Sequence, residues 1–117
     1  MTYDPANIFA KILRGEIPNA TVYADDFALA FHDIAPAAPQ HIIVIPKGEY
    51  VHFSDFMTRA PAALVQGFFK AVAAVAAQEK LADYRLISNN GASAGQSVPH
   101  FHMHLLAGKP MGGLLPE

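Results

Sequence analysis

The sequence contains no cysteine and no tryptophan, and only 15% of its residues are charged. Without thiols there is no disulfide framework, no thiolate metal site and no cysteine nucleophile, a composition that fits a reducing cytoplasm. Lys and Arg number 8 against 10 Asp and Glu, giving a formal charge of -2 with no basic cluster. Long nucleic acids demand a basic footprint and are excluded as partners. No apolar run reaches the ~18 residues of a membrane span. The richest stretch, residues 61–77, is interrupted by Gln66, Gly67 and Lys70. Met1-Thr2-Tyr3-Asp4-Pro5 lacks the basic start and apolar run of a signal peptide, so no membrane partner is expected. Hydrophobic side chains are plentiful, at 52% of 117 residues. That is enough for one domain with its own core, expected to span residues 1–117 with an aperiodic tail over 109–117.

Local patterns place the elements. Asn7 is a candidate N-cap; Ile8, Phe9, Ile12 and Leu13 follow at helical spacing, and Gly15 and Pro18 end a short helix. Residues 21–23 and 27–32 read as strands joined at Asp25-Asp26, a hairpin. His41-Ile42-Ile43-Val44-Ile45 is a β-branched run that suggests a central strand buried on both faces. Residues 53–57 read as a helical turn. A long amphipathic helix is expected from near Ala60, with Pro61 in its first turn and Leu64, Phe68, Val72 and Val75 as its buried stripe. Residues 84–88 form the next strand, and a glycine-containing loop over 89–95 leads into the last. The pattern predicts an α+β fold, an antiparallel sheet of about five strands with one long and one short helix packed on one face.

The last strand carries the chemistry. His100, His102 and His104 alternate with Phe101, Met103 and Leu105. Alternate side chains of a strand share a face, so the three imidazoles should line one face while the apolar residues anchor the other. Three aligned histidines entered by a polar loop are hard to explain by packing, since each buried imidazole needs hydrogen-bond partners. Two chemistries remain. Histidines at i and i+2 can chelate zinc, with His32 or His41 as a further ligand, but no thiol is present and no acidic residue follows the triplet before Glu117. Alternatively, a neutral imidazole can attack phosphorus and form a covalent intermediate. His102 is then the nucleophile, with a histidine about 7 Å away on each side along the strand. Gln96 and Ser97 stand just before it, and the loop amides can cradle anionic oxygens.

His100-Phe101-His102-Met103-His104-Leu105-Leu106 resembles the signature of the histidine triad (HIT) superfamily. The resemblance extends to Ile8-Phe9-Ala10-Lys11-Ile12, Gly15-Glu16-Ile17-Pro18, Phe31-His32-Asp33-Ile34-Ala35-Pro36, residues 41–47 and Gly95-Gln96-Ser97-Val98, which are similar to the Hint (histidine triad nucleotide-binding) branch. It implies a HIT-like fold whose sheet continues across a homodimer. It implies a purine nucleoside phosphoramidase acting on adenosine 5'-monophosphoramidate-type substrates through a nucleotidyl-histidine, without a required metal. By the same resemblance His102 is the nucleophile, and His100 and His104 orient it and contact the phosphate. Ser97 and Gln96 stand beside the α-phosphate and leaving group, Asn89 contacts the phosphate side, and His41 supports the triad. Asp33 accepts from the ribose hydroxyls, and Phe9, Ile12, Ile17, Phe31 and Ile34 form the base pocket. The sequence departs from the pattern at Ala35, where a serine is common, and in a tail without tryptophan. Alternatives are a dinucleoside polyphosphate hydrolase using the same nucleophile, a nucleotide-binding regulatory module, and a zinc protein.

Overall fold

The computed structural model describes residues 2–115. In chain order the elements are α1 (Ile8–Leu13), β1 (Thr21–Ala24), β2 (Ala28–His32), β3 (Gln40–Pro46), α2 (Phe53–Arg59), α3 (Ala62–Gln78), β4 (Arg85–Ile87) and β5 (Met103–Ala107). The strands form one antiparallel sheet in the order β1-β2-β3-β5-β4. No helix among the described residues is long and apolar enough to cross a membrane.

Local chemistry sets the boundaries. Asn7 caps α1, its side-chain oxygen accepting from the Ala10 amide at 2.9 Å. Asp25 turns the β1–β2 hairpin by accepting from the amides of Phe27 and Ala28 at 2.7 and 2.9 Å. The expected turn at residues 53–57 is a full helix, capped by His52 through its Nδ1. Pro61 is the N-cap residue of α3 rather than part of its first turn, because Ala60 before it is held extended.

The sheet is covered on both faces, not on one as the sequence suggests. Ile42 and Val44 of β3 point to one side, with Ala28, Ala30, Met103 and Leu105, and pack beneath Phe56 of α2 and Phe68, Val72 and Val75 of α3. Ile43 and Ile45 point to the other side and pack with Phe31 against Phe9 and Ile12 of α1. The physical reason is the β-branched run itself: a strand apolar on both faces needs cover on both. Phe27 lies against α3 so closely that a Cβ on Gly67 would stand 2.4 Å from its ring.

The histidine segment also differs from a continuous strand. Ladder pairing runs only from Gln40 opposite Ala107 to Val44 opposite Met103. Beyond Met103 the chain leaves β3, and the Phe101 amide donates instead to the Tyr50 carbonyl at 2.7 Å. Alternation persists all the same: Phe101 is buried in the helix-side core, while His102 and His104 face the α1 side. Leaving the ladder frees the His100 carbonyl for another donor.

Candidate active site

A cavity of about 300 Å³ opens on the α1 face of the sheet. Phe9, Ile12, Ile17, Phe31 and Ile34 supply its apolar wall, Asp33 lies among them, and Ser97, His102 and His104 line it as well. This is the size and make-up of a small-molecule site, apolar with a few convergent polar groups. The Phe9 ring meets His102 edge-on, with centroids 4.9 Å apart, and meets Phe31 at 5.6 Å. The five residues named for a base pocket and the residue named for a ribose therefore surround one space.

The hydrogen bonds around His102 determine which nitrogen is reactive. Its Nδ1 lies 2.6 Å from the His100 carbonyl oxygen. A carbonyl can only accept, so Nδ1 carries the proton and Nε2 keeps its lone pair. The Ser88 hydroxyl donates to the His102 carbonyl at 2.9 Å and holds the backbone from the other side. Burial pushes the His102 imidazole below its ordinary pKa, which keeps that lone pair available at neutral pH.

His104 receives the opposite tautomer. It sits on β5 between Ile43 and Ile87. The Ala37 amide donates to His41 Nδ1 at 2.9 Å, so His41 carries its proton on Nε2. That Nε2 lies 2.9 Å from His104 Nδ1 and 3.4 Å from an Asp33 oxygen. His104 Nδ1 accepts, which leaves His104 Nε2–H as a donor. Burial, and then the neighbouring His102 and His41, bring the His104 pKa down to about 4. One ring thus offers a lone pair and the next a hydrogen-bond donor, their centroids 4.9 Å apart. That combination suits attack on phosphorus with a donor for a non-bridging oxygen.

Three further residues of the expected site do not line this cavity. His100 is fully buried and does not line the cavity. Its Nδ1 accepts from the Tyr3 hydroxyl at 2.7 Å and its Nε2 donates to the Pro46 carbonyl at 3.2 Å. Gln96 turns inward as a brace: its amide nitrogen donates to the carbonyls of Val51 and Val98 at 2.6 and 3.0 Å, and its oxygen accepts from the Gly91 amide at 2.8 Å. Asn89 also lies outside the cavity lining. Its carboxamide occupies space beside Gly95, 3.3 Å from where a Cβ would stand. The sequence pattern does not point to Tyr3 or Ser88. Neither belongs to a periodic pattern, and each matters only through one long-range hydrogen bond.

Asp33, His41 and His104 bring ligand atoms within 4.8 Å of one another. The donor set suits zinc by type, but its protonation does not. His41 can offer only Nε2, because Nδ1 holds the Ala37 amide. That Nε2 carries the proton shared with His104, and a metal there would displace it and break one of the two bonds. As they stand the three groups are joined as a hydrogen-bond relay, which a bound metal would have to replace.

The buried imidazoles make stability depend on pH in a definite direction. Burial, reinforced by the nearby His102 ring and opposed by the bond to Pro46, lowers the His100 pKa from 6.5 to about 4. Unfolded, the ring takes a proton below its ordinary value; folded, it does not until near pH 4. Native stability is therefore full above pH 6.5 and declines toward pH 4, by on the order of 3 kcal/mol for such a group. His104 acts in the same sense. Urea melts across this window should show a falling midpoint well above the range where Asp55 titrates, whose carboxyl the Arg59 guanidinium holds near 2. A flat midpoint from pH 7 to pH 4.5 would contradict neutral, buried rings.

Known proteins share this arrangement of sequence and fold. The HIT domain family matches residues 14–111. A HIT-like protein of Azospirillum brasilense is 53% identical over 99% of this chain and 97% of its own length. The purine nucleoside phosphoramidase of Escherichia coli K12 is 44% identical over 92% of each chain. A 14 kDa zinc-binding protein of Zea mays is also 44% identical, over 92% of this chain and 86% of its own. Among solved structures, a histidine triad protein of Clostridium difficile superposes with a TM-score of 0.84 at 36% identity, covering 97% of this chain and all of that one. A HIT family hydrolase of Clostridium thermocellum gives 0.82 at 36% identity, covering 94% and 97%. With the family match spanning most of its length and the triad running into β5 of a five-stranded sheet, this chain belongs to the HIT family.

Proposed function

We propose that the protein is a purine nucleoside phosphoramidase of the Hint branch, with residues 1–117 forming one HIT domain and the reaction taking place in the cytoplasm. The observation that carries this reading is the His102 tautomer. A neutral ring with its lone pair on Nε2 lines a cavity whose remaining wall suits a nucleoside. The 44% identity to the Escherichia coli phosphoramidase supports the same reaction class.

The steps follow from the atoms. The purine packs against Phe9, Ile12, Ile17, Phe31 and Ile34, and Asp33 accepts from the ribose. His102 Nε2 attacks the α-phosphorus; an N–P bond forms as the bond to the leaving nitrogen breaks, and that nitrogen takes a proton from solvent, relayed by the neighbouring Ser97 hydroxyl, and departs as the neutral amine. The ring becomes a cation as it is nucleotidylated. Its Nδ1–H already points at the His100 carbonyl dipole, which stabilises that positive charge without rearrangement. His104 donates to a non-bridging oxygen. Water then attacks the phosphorus, gives a proton back to solvent, releases the nucleoside monophosphate and returns the neutral imidazole. No step requires a metal, and the zinc named for the maize relative would compete with the His41–His104 bond.

A homodimer is part of this reading. β4 is an edge strand of only 3 residues whose Leu86 is 43% exposed, with Tyr84 exposed beside it. The Arg85 guanidinium holds the carbonyls of Gly112 and Gly113, each at 3.0 Å, so the tail runs next to the same edge. Pairing β4 with its copy would satisfy the free backbone groups and cover both side chains. Sedimentation should give twice the chain mass, and Leu86→Asp should shift it toward the monomer; a monomeric wild type would remove the dimer from the proposal.

The activity is tested with an adenosine phosphoramidate and a dinucleoside polyphosphate side by side, with EDTA present throughout. The phosphoramidate should turn over faster, EDTA should leave the rate unchanged, and His102→Ala should lower it by at least about a thousandfold, as loss of a nucleophile does. Faster cleavage of the polyphosphate would favour the alternative hydrolase. Tight nucleotide binding without turnover of either would favour a regulatory module.

A further inference from the structure

The nucleophile is held through His100, and His100 is itself held from outside the site. Its ring is fully buried, with both nitrogens facing fixed partners. The Pro46 carbonyl can only accept, so His100 carries its proton on Nε2. Nδ1 then needs a donor, and the Tyr3 hydroxyl supplies it from 2.7 Å. Tyr3 precedes α1 and does not line the cavity. Its ring meets that of His100 edge-on at 5.7 Å. Through its carbonyl, the same His100 accepts the Nδ1 proton of His102.

We propose that Tyr3 is a positioning residue for His102: its hydroxyl fixes the Nε2–H tautomer of His100, and with it the backbone carbonyl that aims the nucleophile. The proposal rests on His102 being the nucleophile. Without the hydroxyl, the Nδ1 lone pair of a buried imidazole has no donor. The ring must rotate, admit water into a packed site, or change tautomer. A change of tautomer would set the Nε2 lone pair against the Pro46 oxygen. Each route displaces residue 100 and takes the acceptor out of line with His102 Nδ1. His102 then loses its preference for the tautomer with the lone pair on Nε2. Phe9 of the apolar wall meets the His100 ring edge-on at 6.3 Å, but Tyr3→Phe removes only the hydroxyl and leaves Phe9 and Asp33 in place, so nucleotide binding is preserved while attack slows.

The test compares wild type with Tyr3→Phe, which removes one oxygen and keeps the ring. Three quantities are read: the single-turnover rate of adenylate transfer from an adenosine phosphoramidate to the protein, the affinity for AMP, and the ¹⁵N imidazole spectrum. In the wild type His100 should show the Nε2–H tautomer. In Tyr3→Phe the transfer rate should fall roughly tenfold or more, as for an orphaned buried acceptor, with AMP affinity unchanged. A wild-type rate in Tyr3→Phe overturns the proposal, as does a parallel loss of rate and AMP affinity, which marks general loosening. An Nδ1–H or charged His100 in the wild-type spectrum also overturns it, whether or not the variant folds. Failure of the wild type to form any adenylate adduct overturns the underlying assignment of His102 instead.

Discussion

A hydrogen bond between the ring of one residue and the carbonyl two positions earlier in the chain organises this molecule. At 2.6 Å, His102 Nδ1 donates to His100, and that single bond decides which nitrogen is free to react. It forms only because the chain has left the β3 ladder before residue 102, so the His100 carbonyl is not taken by a strand partner. It stays in place because Ser88 holds the His102 carbonyl and Pro46 and Tyr3 hold the His100 ring. Burial then lowers the pKa of all three triad rings, so the neutral form on which the pattern depends is the form present near pH 7.

The two faces of the sheet divide the labour. On one side Phe56, Phe68 and Phe101 pack ring against ring beneath α3, with centroid distances of 4.7 to 5.4 Å. That side anchors the odd-numbered residues of the triad segment and gives the histidines a rigid floor. The other side is more thinly covered, by the 6 residues of α1, and the space left beside that helix is the cavity. A short helix on one face is therefore both core and wall. Phe9 shows this directly, touching Phe31 in the core and the His102 ring at the site.

Much of this is legible in the sequence where periodicity reports it. Alternation placed Phe101, Met103 and Leu105 in the core and His102 and His104 opposite, and helical spacing found α1 and the buried stripe of α3. The apolar wall and Asp33 came from resemblance to the family, and they surround one cavity. What eluded the sequence depends on partners rather than pattern. Nothing in a glutamine at position 96 reveals that its carboxamide binds Val51, Val98 and Gly91 instead of facing the cavity. Nothing in the alternation reveals that the ladder stops at Met103 and leaves His100 behind the cavity, or that a tyrosine near the start of the chain completes its hydrogen bonds. The second sheet face covered by a helix was readable from Ile42 to Ile45, where both parities are apolar.

The chemistry turns on one atom, His102 Nε2, and the most direct measurement looks for the bond that atom forms. Wild-type protein mixed with an adenosine phosphoramidate, quenched under conditions that preserve phosphoryl-imidazole bonds and mapped by mass spectrometry and phosphorus NMR, should carry adenylate on Nε2 of His102. Adenylate on Nδ1, on another residue, or nowhere while the substrate is consumed would contradict the mechanism.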